Sequence, residues 1–312
     1  MNAGVVFTER YLRMMFKSLR DATPEEVDAE LEHCRRENRR PVRVPRYFRG
    51  YFTENEKFHA STGFDMQVFQ HDEKVRSLSL SKGRPKRRLI LYLHGGAFIY
   101  PPVFFHWRFL HDLCLRTHCD ALLPVYPKSP EYDCEYSVKT LLEFYRCISD
   151  SKHYEEIHLV GDSAGACLCL VLAQEAHKNG WQKPATTTLL SPCVDLSHTR
   201  EKEMRALQDK DNMLQLDRVI ALNAIWQGSL PTKHPWVSPV FGDFSGVDNL
   251  HVYYGSDEIL QPDDLLLKEV YEKAGKVGQF HEYQGMFHTF PMFPIPEGFK
   301  AVREIANTIK QQ

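Results

Sequence analysis

What most restricts the fold of this chain is the rhythm of its apolar residues beyond about position 65. Leu89-Ile90-Leu91-Tyr92-Leu93, Ala121 to Tyr126, Ile157 to Val160, Thr187 to Leu190 and His251-Val252-Tyr253-Tyr254 are short runs rich in apolar and β-branched side chains. A strand with one wet face alternates apolar and polar residues, whereas a strand covered on both faces can stay apolar throughout. Between the runs lie segments of helical length, predicted at 104–118, 137–149, 163–178 and 262–274, with a last helix at 297–309. This alternation predicts an α/β protein with a mostly parallel central sheet covered by helices. Met66 to Phe69 and Val75 to Leu80 predict two early strands, and Gln279 to Tyr283 predicts a final one.

Two stretches stand outside that alternation. Near the start, Phe7, Tyr11, Met14 or Met15 and Leu19 recur at helical spacing, and Thr23-Pro24-Glu25-Glu26 has the form of a capping box opening a second helix with Val27, Leu31 and Cys34 on one stripe. Later, a charged stretch from His198 to Asn212 precedes a helical segment from Leu216 to Trp226. Both stretches carry apolar stripes and lack a sheet partner. The expected arrangement is a single domain over 1–312 in which 1–50 and 198–240 contribute a helical cap over the C-terminal edge of the sheet. Arg35 to Arg49 holds seven arginines with aromatic residues interleaved. A membrane-surface or nucleic-acid patch is one reading; a solvated linker whose arginines pair with the acidic helix before it is the expected one.

Composition narrows the function classes. A chain of 312 residues, 43% hydrophobic, has enough material for a large core without metal or disulfide staples. Its 39 basic and 41 acidic residues leave a formal net charge of −2, too balanced for a protein devoted to nucleic acid. Glu9-Arg10 interrupts the opening apolar residues and no run of about 20 apolar residues follows, so neither an export signal nor a transmembrane span is expected, and a cytoplasmic location is. The eight cysteines are spread along the chain and are expected to be reduced. The cluster of His111, Cys114, His118 and Cys119 is read as one helix face and not as a metal site, and no cofactor is expected.

Chemistry is concentrated at Gly161-Asp162-Ser163-Ala164-Gly165, which falls where the strand Ile157 to Val160 ends and a helix begins. Glycines on either side allow a sharp strand-to-helix turn that lifts the Ser163 hydroxyl into the open as a candidate nucleophile. A serine that attacks a carbonyl leaves negative charge on oxygen, which needs waiting donors. His94-Gly95-Gly96-Ala97, directly after the strand ending at Leu93, predicts backbone N–H groups of Gly95 and Gly96 in that role, joined by Ala164, with His94 and Asp162 supporting. The base should follow a later strand, and His288 does so after Gly285-Met286-Phe287. Asp257, after the strand ending at Tyr254 and the turn Gly255-Ser256, is the expected acid that orients it; Glu258, Asp263 and Asp264 are the neighbouring candidates.

With these motifs in place, the sequence from about 85 to 312 resembles the hormone-sensitive-lipase-like branch of the α/β-hydrolases, which includes microbial carboxylesterases and arylacetamide deacetylases. His94-Gly95-Gly96-Ala97-Phe98 is similar to the H-G-G-G-F oxyanion motif of that family, and Gly161 to Gly165 matches its nucleophile motif. Tyr126-Pro127-Lys128-Ser129-Pro130-Glu131 resembles Y-R-L-A-P-E, Ser191-Pro192 a post-strand pair, and Gly285 to Phe290 the G-M-x-H-x-F segment. The resemblance implies an α/β-hydrolase fold with a Ser163, Asp257, His288 triad, an oxyanion hole of Gly95, Gly96 and Ala164, and a supporting Glu131. It departs from the pattern at Ala97, in place of a third glycine, and at Pro127-Lys128. The implied activity is hydrolysis of short- to medium-chain acyl esters through an acyl-enzyme, with no cofactor, by a monomer or homodimer. Amide hydrolysis or deacetylation, a lipase, and a small-molecule receptor on a hydrolase fold are the competing readings.

Overall fold

A computed structural model of the chain describes residues 24–40, 42–49, 52–54, 66–69 and 87–312. The expected helix around Phe7 to Leu19 and the expected strand Val75 to Leu80 lie outside those residues. Eight strands form one sheet: β1 (Phe52–Glu54), β2 (Met66–Phe69), β3 (Arg88–Leu93), β4 (Asp120–Pro124), β5 (Glu156–Asp162), β6 (Thr186–Leu190), β7 (Leu250–Gly255) and β8 (Gln279–Tyr283). Their order across the sheet is β1-β2-β4-β3-β5-β6-β7-β8. The pairs β1–β2 and β2–β4 are antiparallel and every later pair is parallel. β1 was not expected: it lies just beyond the Arg35 to Arg49 stretch read as linker, and three residues are too short a run to show a period.

Side chains of a strand point alternately to its two faces, and β3 divides its apolar residues accordingly. Leu89, Leu91 and Leu93 enter one core with residues of α3 (Cys134–Ser151) and α4 (Ala164–Lys178), including Val138, Tyr145 and Leu168. Ile90 and Tyr92 enter the other, against Leu110 and Leu113 of α2 (Phe104–Thr117) and Val302 and Ile305 of α8 (Pro296–Gln311). All five of these β3 side chains are fully buried. The continuous apolar run is thus explained by two covered faces. All eight cysteines are free thiols, and Cys147 alone of them is exposed.

The fold includes a helical cap region beside the sheet. α1 (Pro24–Asn38) and α6 (Leu216–Gln227) meet in a small cluster in which Cys34 packs with Ile99 and Leu222, with Leu31 and Ile225 against it. Asn38 Nδ2, at the end of α1, donates to the carbonyl oxygens of Ile99 at 3.1 Å and Ser129 at 3.4 Å. Phe98 stacks on Trp226 of α6 at 4.2 Å with the rings 6° from parallel. The charged stretch before α6 holds a short helix, α5 (Glu201–Leu207), and α7 (Gln261–Lys273) follows β7. Among the described residues no helix is long and apolar enough to cross a membrane.

Candidate active site

Ser163 stands between the end of β5 and the start of α4, with φ 50° and ψ −120°. A positive φ is costly for a residue with a side chain, and at a turn of this kind it signals a conformation held by its surroundings. Those surroundings leave no room to relax. A Cβ on Gly165 would lie 2.0 Å from the carbonyl oxygen of Leu93, and one on Gly161 would lie 2.7 Å from Gly165. Both glycines of the motif are therefore required by close backbone approach. The turn presents Ser163 to a cavity of about 900 Å³ that is also lined by Gly96, Ala97, Ala164 and His288.

His288 follows β8 and is buried. Its Nδ1 lies 2.6 Å from Oε2 of Glu258, a carboxylate that is itself fully buried. Glu258 is held in turn, because its Oε1 accepts from Ser191 Oγ at 2.8 Å and from the Gly255 N–H at 2.7 Å. Ser191 Oγ also accepts from the Thr289 N–H at 2.9 Å, which ties the residue after His288 into the same network. Burial alone would push the His288 imidazolium down, but the hydrogen bond and charge of Glu258, with the charges of Asp211 and Asp162, outweigh it and raise His288 above its ordinary range.

Asp257, the expected acid, does not reach His288. Its Oδ1 accepts from Ser256 Oγ at 2.9 Å, and its backbone N–H donates to Met286. Successive side chains leave a turn in different directions, and Glu258, one residue later and one methylene longer, is the one aimed inward. Among the described residues, neither Asp263 nor Asp264 makes a hydrogen bond or ion pair with His288. Asp263 accepts from the Asp195 N–H at 3.4 Å, and both carboxyl groups of the pair are buried, which pushes them well above the usual carboxylate range.

The loop after β3, expected to hold oxyanion donors, differs from expectation in one residue. The Gly95 N–H donates to Asp162 Oδ1 at 3.0 Å, so it is occupied, and Gly95 does not line the cavity. A Cβ there would sit 2.2 Å from Asp162 Oδ2, which explains the glycine by packing. Gly96, Ala97 and Ala164 line the cavity, and among the described residues no acceptor takes their N–H groups. Ala97 has φ 51° and Gly96 has φ 119°. The alanine in place of a third glycine thus occupies a left-handed conformation that glycine would adopt more cheaply.

Asp162 is the anchor of this loop. It accepts from Tyr92 Oη at 2.5 Å as well as from Gly95, and His106 Nε2 is 3.4 Å away. Burial raises the Asp162 carboxyl, but the electrostatic pull and hydrogen bond of His106, and the bonds from Tyr92 and Gly95, prevail and keep it below the ordinary aspartate range. His94 braces the loop from beneath: its Nδ1 is 2.7 Å from the Gly95 carbonyl, its ring stacks on Tyr126 at 4.6 Å, and Tyr126 Oη donates to the His94 carbonyl at 2.8 Å. Glu131 is exposed and does not line the cavity. The segment supports the loops instead through Tyr126 and through the Ser129 N–H, which donates to Phe98 at 2.9 Å.

Comparison with known proteins accounts for this geometry. The profile of the alpha/beta hydrolase fold matches residues 90–292. The chain belongs to the α/β-hydrolase family. Within that family it is related to the hormone-sensitive-lipase-like esterases. It is 30% identical over 236 residues to an esterase of Acinetobacter venetianus, covering 74% of this chain and 78% of the relative. With an acetyl-hydrolase of Streptomyces hygroscopicus it shares 31% identity over 231 residues, 70% of this chain and 75% of the other. In fold it is similar to a hormone-sensitive lipase from a metagenome library, with a TM-score of 0.78 at 23% identity over 100% of this chain and 98% of that one.

Of the residues in the buried networks around Asp162 and His288 of this α/β-hydrolase, sequence reasoning missed Tyr92, His106 and Asp211, and it saw Ser191 only as part of a Ser-Pro pair. Asp211 is fully buried in the cap connection; it accepts from the N–H groups of Met213, Leu214 and Ile259, each at 2.8 Å. Burial pushes its carboxyl up, and His288 opposes that. The bond to Ile259 fixes the residue after Glu258. Met213 and Leu214 are local partners, but the bond to Ile259 spans 48 positions and is marked by no local pattern.

Proposed function

We propose that the protein is a serine ester hydrolase in which Ser163 is the nucleophile, His288 the general base and Glu258 the carboxylate that orients it. The single observation that carries this reading is that the strained Ser163 and the buried His288 share the wall of one cavity, with Glu258 bonded behind His288. Nδ1–H of His288 donates to Glu258, which leaves Nε2 as the basic nitrogen to take the proton of the Ser163 hydroxyl as it attacks an ester carbonyl. The N–H groups of Gly96, Ala97 and Ala164 would receive the oxyanion, replacing Gly95 in the expected set. His288 then returns its proton to the departing alcohol, and water repeats the sequence on the acyl-enzyme to release the acid.

The names of the relatives, an esterase and an acetyl-hydrolase, support small acyl esters as the substrate class. Short- to medium-chain acyl groups are the finer reading, and the large cavity with its apolar wall at Phe104, Phe105, Met292 and Phe293 supports it. Turnover of p-nitrophenyl esters of graded chain length, beside the matching anilides, tests it. The expected profile peaks at short to medium chains, with anilides slower by orders of magnitude; equal rates on anilides would replace this reading with an amidase.

The pH profile follows from the network. His288 must be neutral to act, and its raised affinity for a proton means that the acid limb of kcat/KM should fall at a pH above the ordinary histidine value of 6.5. Removing the Glu258 charge withdraws the main factor that raises His288, so Glu258→Gln should move this limb to lower pH as well as slow the reaction. Unchanged limbs in wild type and variant would separate His288 from the titrating group.

A further inference from the structure

Charge is placed unevenly on this chain. Between Arg35 and Arg49 there are seven arginines and one acid, Glu37, in a protein whose formal net charge is −2. All seven are exposed. Three are paired along α1 and just beyond it: Arg35 and Arg36 approach Glu32 at 3.3 and 3.9 Å, and Arg40 approaches Glu37 at 2.6 Å. Arg49 donates to the Val44 carbonyl at 3.3 Å. Arg39, Arg43 and Arg46 meet no acidic side chain among the described residues. The linker reading therefore accounts for only part of the cluster.

The same stretch of chain carries an exposed aromatic side chain, and the start of α2 exposes apolar ones. Tyr47 is 75% exposed, Val103 51% and Phe104 49%. The two parts are one face, because buried Phe48 packs between them with its ring 5.4 Å from that of Phe104 and 5.5 Å from that of His111. Val103 and Phe104 also line the cavity that contains Ser163, and residues half exposed while lining a cavity stand at its opening. The contact of Phe48 with Phe104 thus sets its chain neighbours Arg46 and Tyr47 beside that opening, with Arg43 and Arg39 preceding them in the chain.

We propose that this face docks on an anionic phospholipid bilayer and sets the cavity opening against the lipid interface. Guanidinium groups bind phosphate oxygens in a bidentate fashion, and basic residues gain from the negative surface potential of such a membrane within a Debye length. A tyrosine side chain suits the headgroup level, where its ring meets apolar material and its hydroxyl stays wet. Charge and shallow apolar insertion together give a binding strength that neither supplies alone. A nucleic acid would satisfy the arginines but would offer nothing to Val103 and Phe104. The docking does not depend on the ester-hydrolase reading, and its test reads binding directly.

Full-length protein is floated with vesicles of phosphatidylcholine alone and of phosphatidylcholine mixed with phosphatidylglycerol, at low and high salt. Wild type should bind the anionic vesicles at least about tenfold more than the neutral ones, and high salt should remove most of that difference. The combined variant Arg39→Glu, Arg43→Glu, Arg46→Glu should lose the preference while keeping its circular dichroism spectrum and its turnover of a water-soluble ester. Tyr47→Ser should weaken binding without changing its salt dependence. Equal binding to both vesicle types, no binding to either, or displacement of wild type from vesicles by duplex DNA at equal phosphate would overturn the proposal, the last by assigning the arginines to nucleic acid.

Discussion

Replacing Ser163 by alanine should lower ester turnover by at least about 10⁴-fold, because it removes the attacking oxygen and leaves only binding and oxyanion stabilisation. The fold should survive. Ser163 is held at φ 50° by its neighbours, and alanine inherits that conformation with little change in volume. Glycine at the same position makes a sharper test of the strain: Ser163→Gly should be equally inactive yet more stable than Ser163→Ala by about 1 kcal/mol, since glycine adopts positive φ without a steric penalty. Kinetics on short-chain esters, with denaturant melts of the three proteins, measure both effects. Residual activity within tenfold of wild type, on protein free of contaminating esterase, would remove Ser163 from the chemistry.

The second large effect distinguishes two adjacent carboxylates. Glu258→Gln should reduce kcat by about 10³- to 10⁴-fold, because the amide can present its NH₂ to Nδ1, favour the wrong tautomer of His288 and withdraw the charge that stabilises the imidazolium. Glu258 is also bonded to Ser191 and to the Gly255 N–H, so some loss of stability should accompany the change. Asp257→Asn should leave kcat within about threefold, as its carboxylate meets, among the described residues, only the hydroxyl of Ser256. Adding His288→Ala to Glu258→Gln should cost much less than the product of the single losses, since residues acting as a unit are not additive. A larger defect in Asp257→Asn than in Glu258→Gln would restore Asp257 as the orienting acid.

The contrast between these carboxylates illustrates what could be read before folding. Periodicity located β7 and the turn after it, and chain order required an acid there. It did not choose between positions 257 and 258, because the direction of a side chain leaving a turn is set by where the backbone is tethered. Here the Asp257 N–H is bonded to Met286, and the Gly255 N–H reaches the Glu258 carboxylate. Gly95 is a similar case. A glycine after a strand and beside the elbow reads as an oxyanion donor, yet Asp162, which is 67 positions away in the chain, captures its N–H.

Local sequence by itself determined the alternation of strands and helices, the elbow around Ser163 and the strand after which each reacting group follows. These depend on side-chain period and on the steric freedom of glycine, both of which act within a few residues. Tertiary structure alone decided which carboxylate meets His288, which N–H groups of the loop after β3 find no acceptor among the described residues, and the contacts of Tyr92, His106, Ser191 and Asp211. It also decided that Arg39, Arg43 and Arg46 meet no acidic side chain among the described residues, while Arg35, Arg36 and Arg40 are neutralised on or near their own helix. The physical reason is range. Each of these outcomes is a contest among hydrogen-bond and charge partners distant in sequence, and the contest has no winner until packing of the sheet and cap brings them within reach.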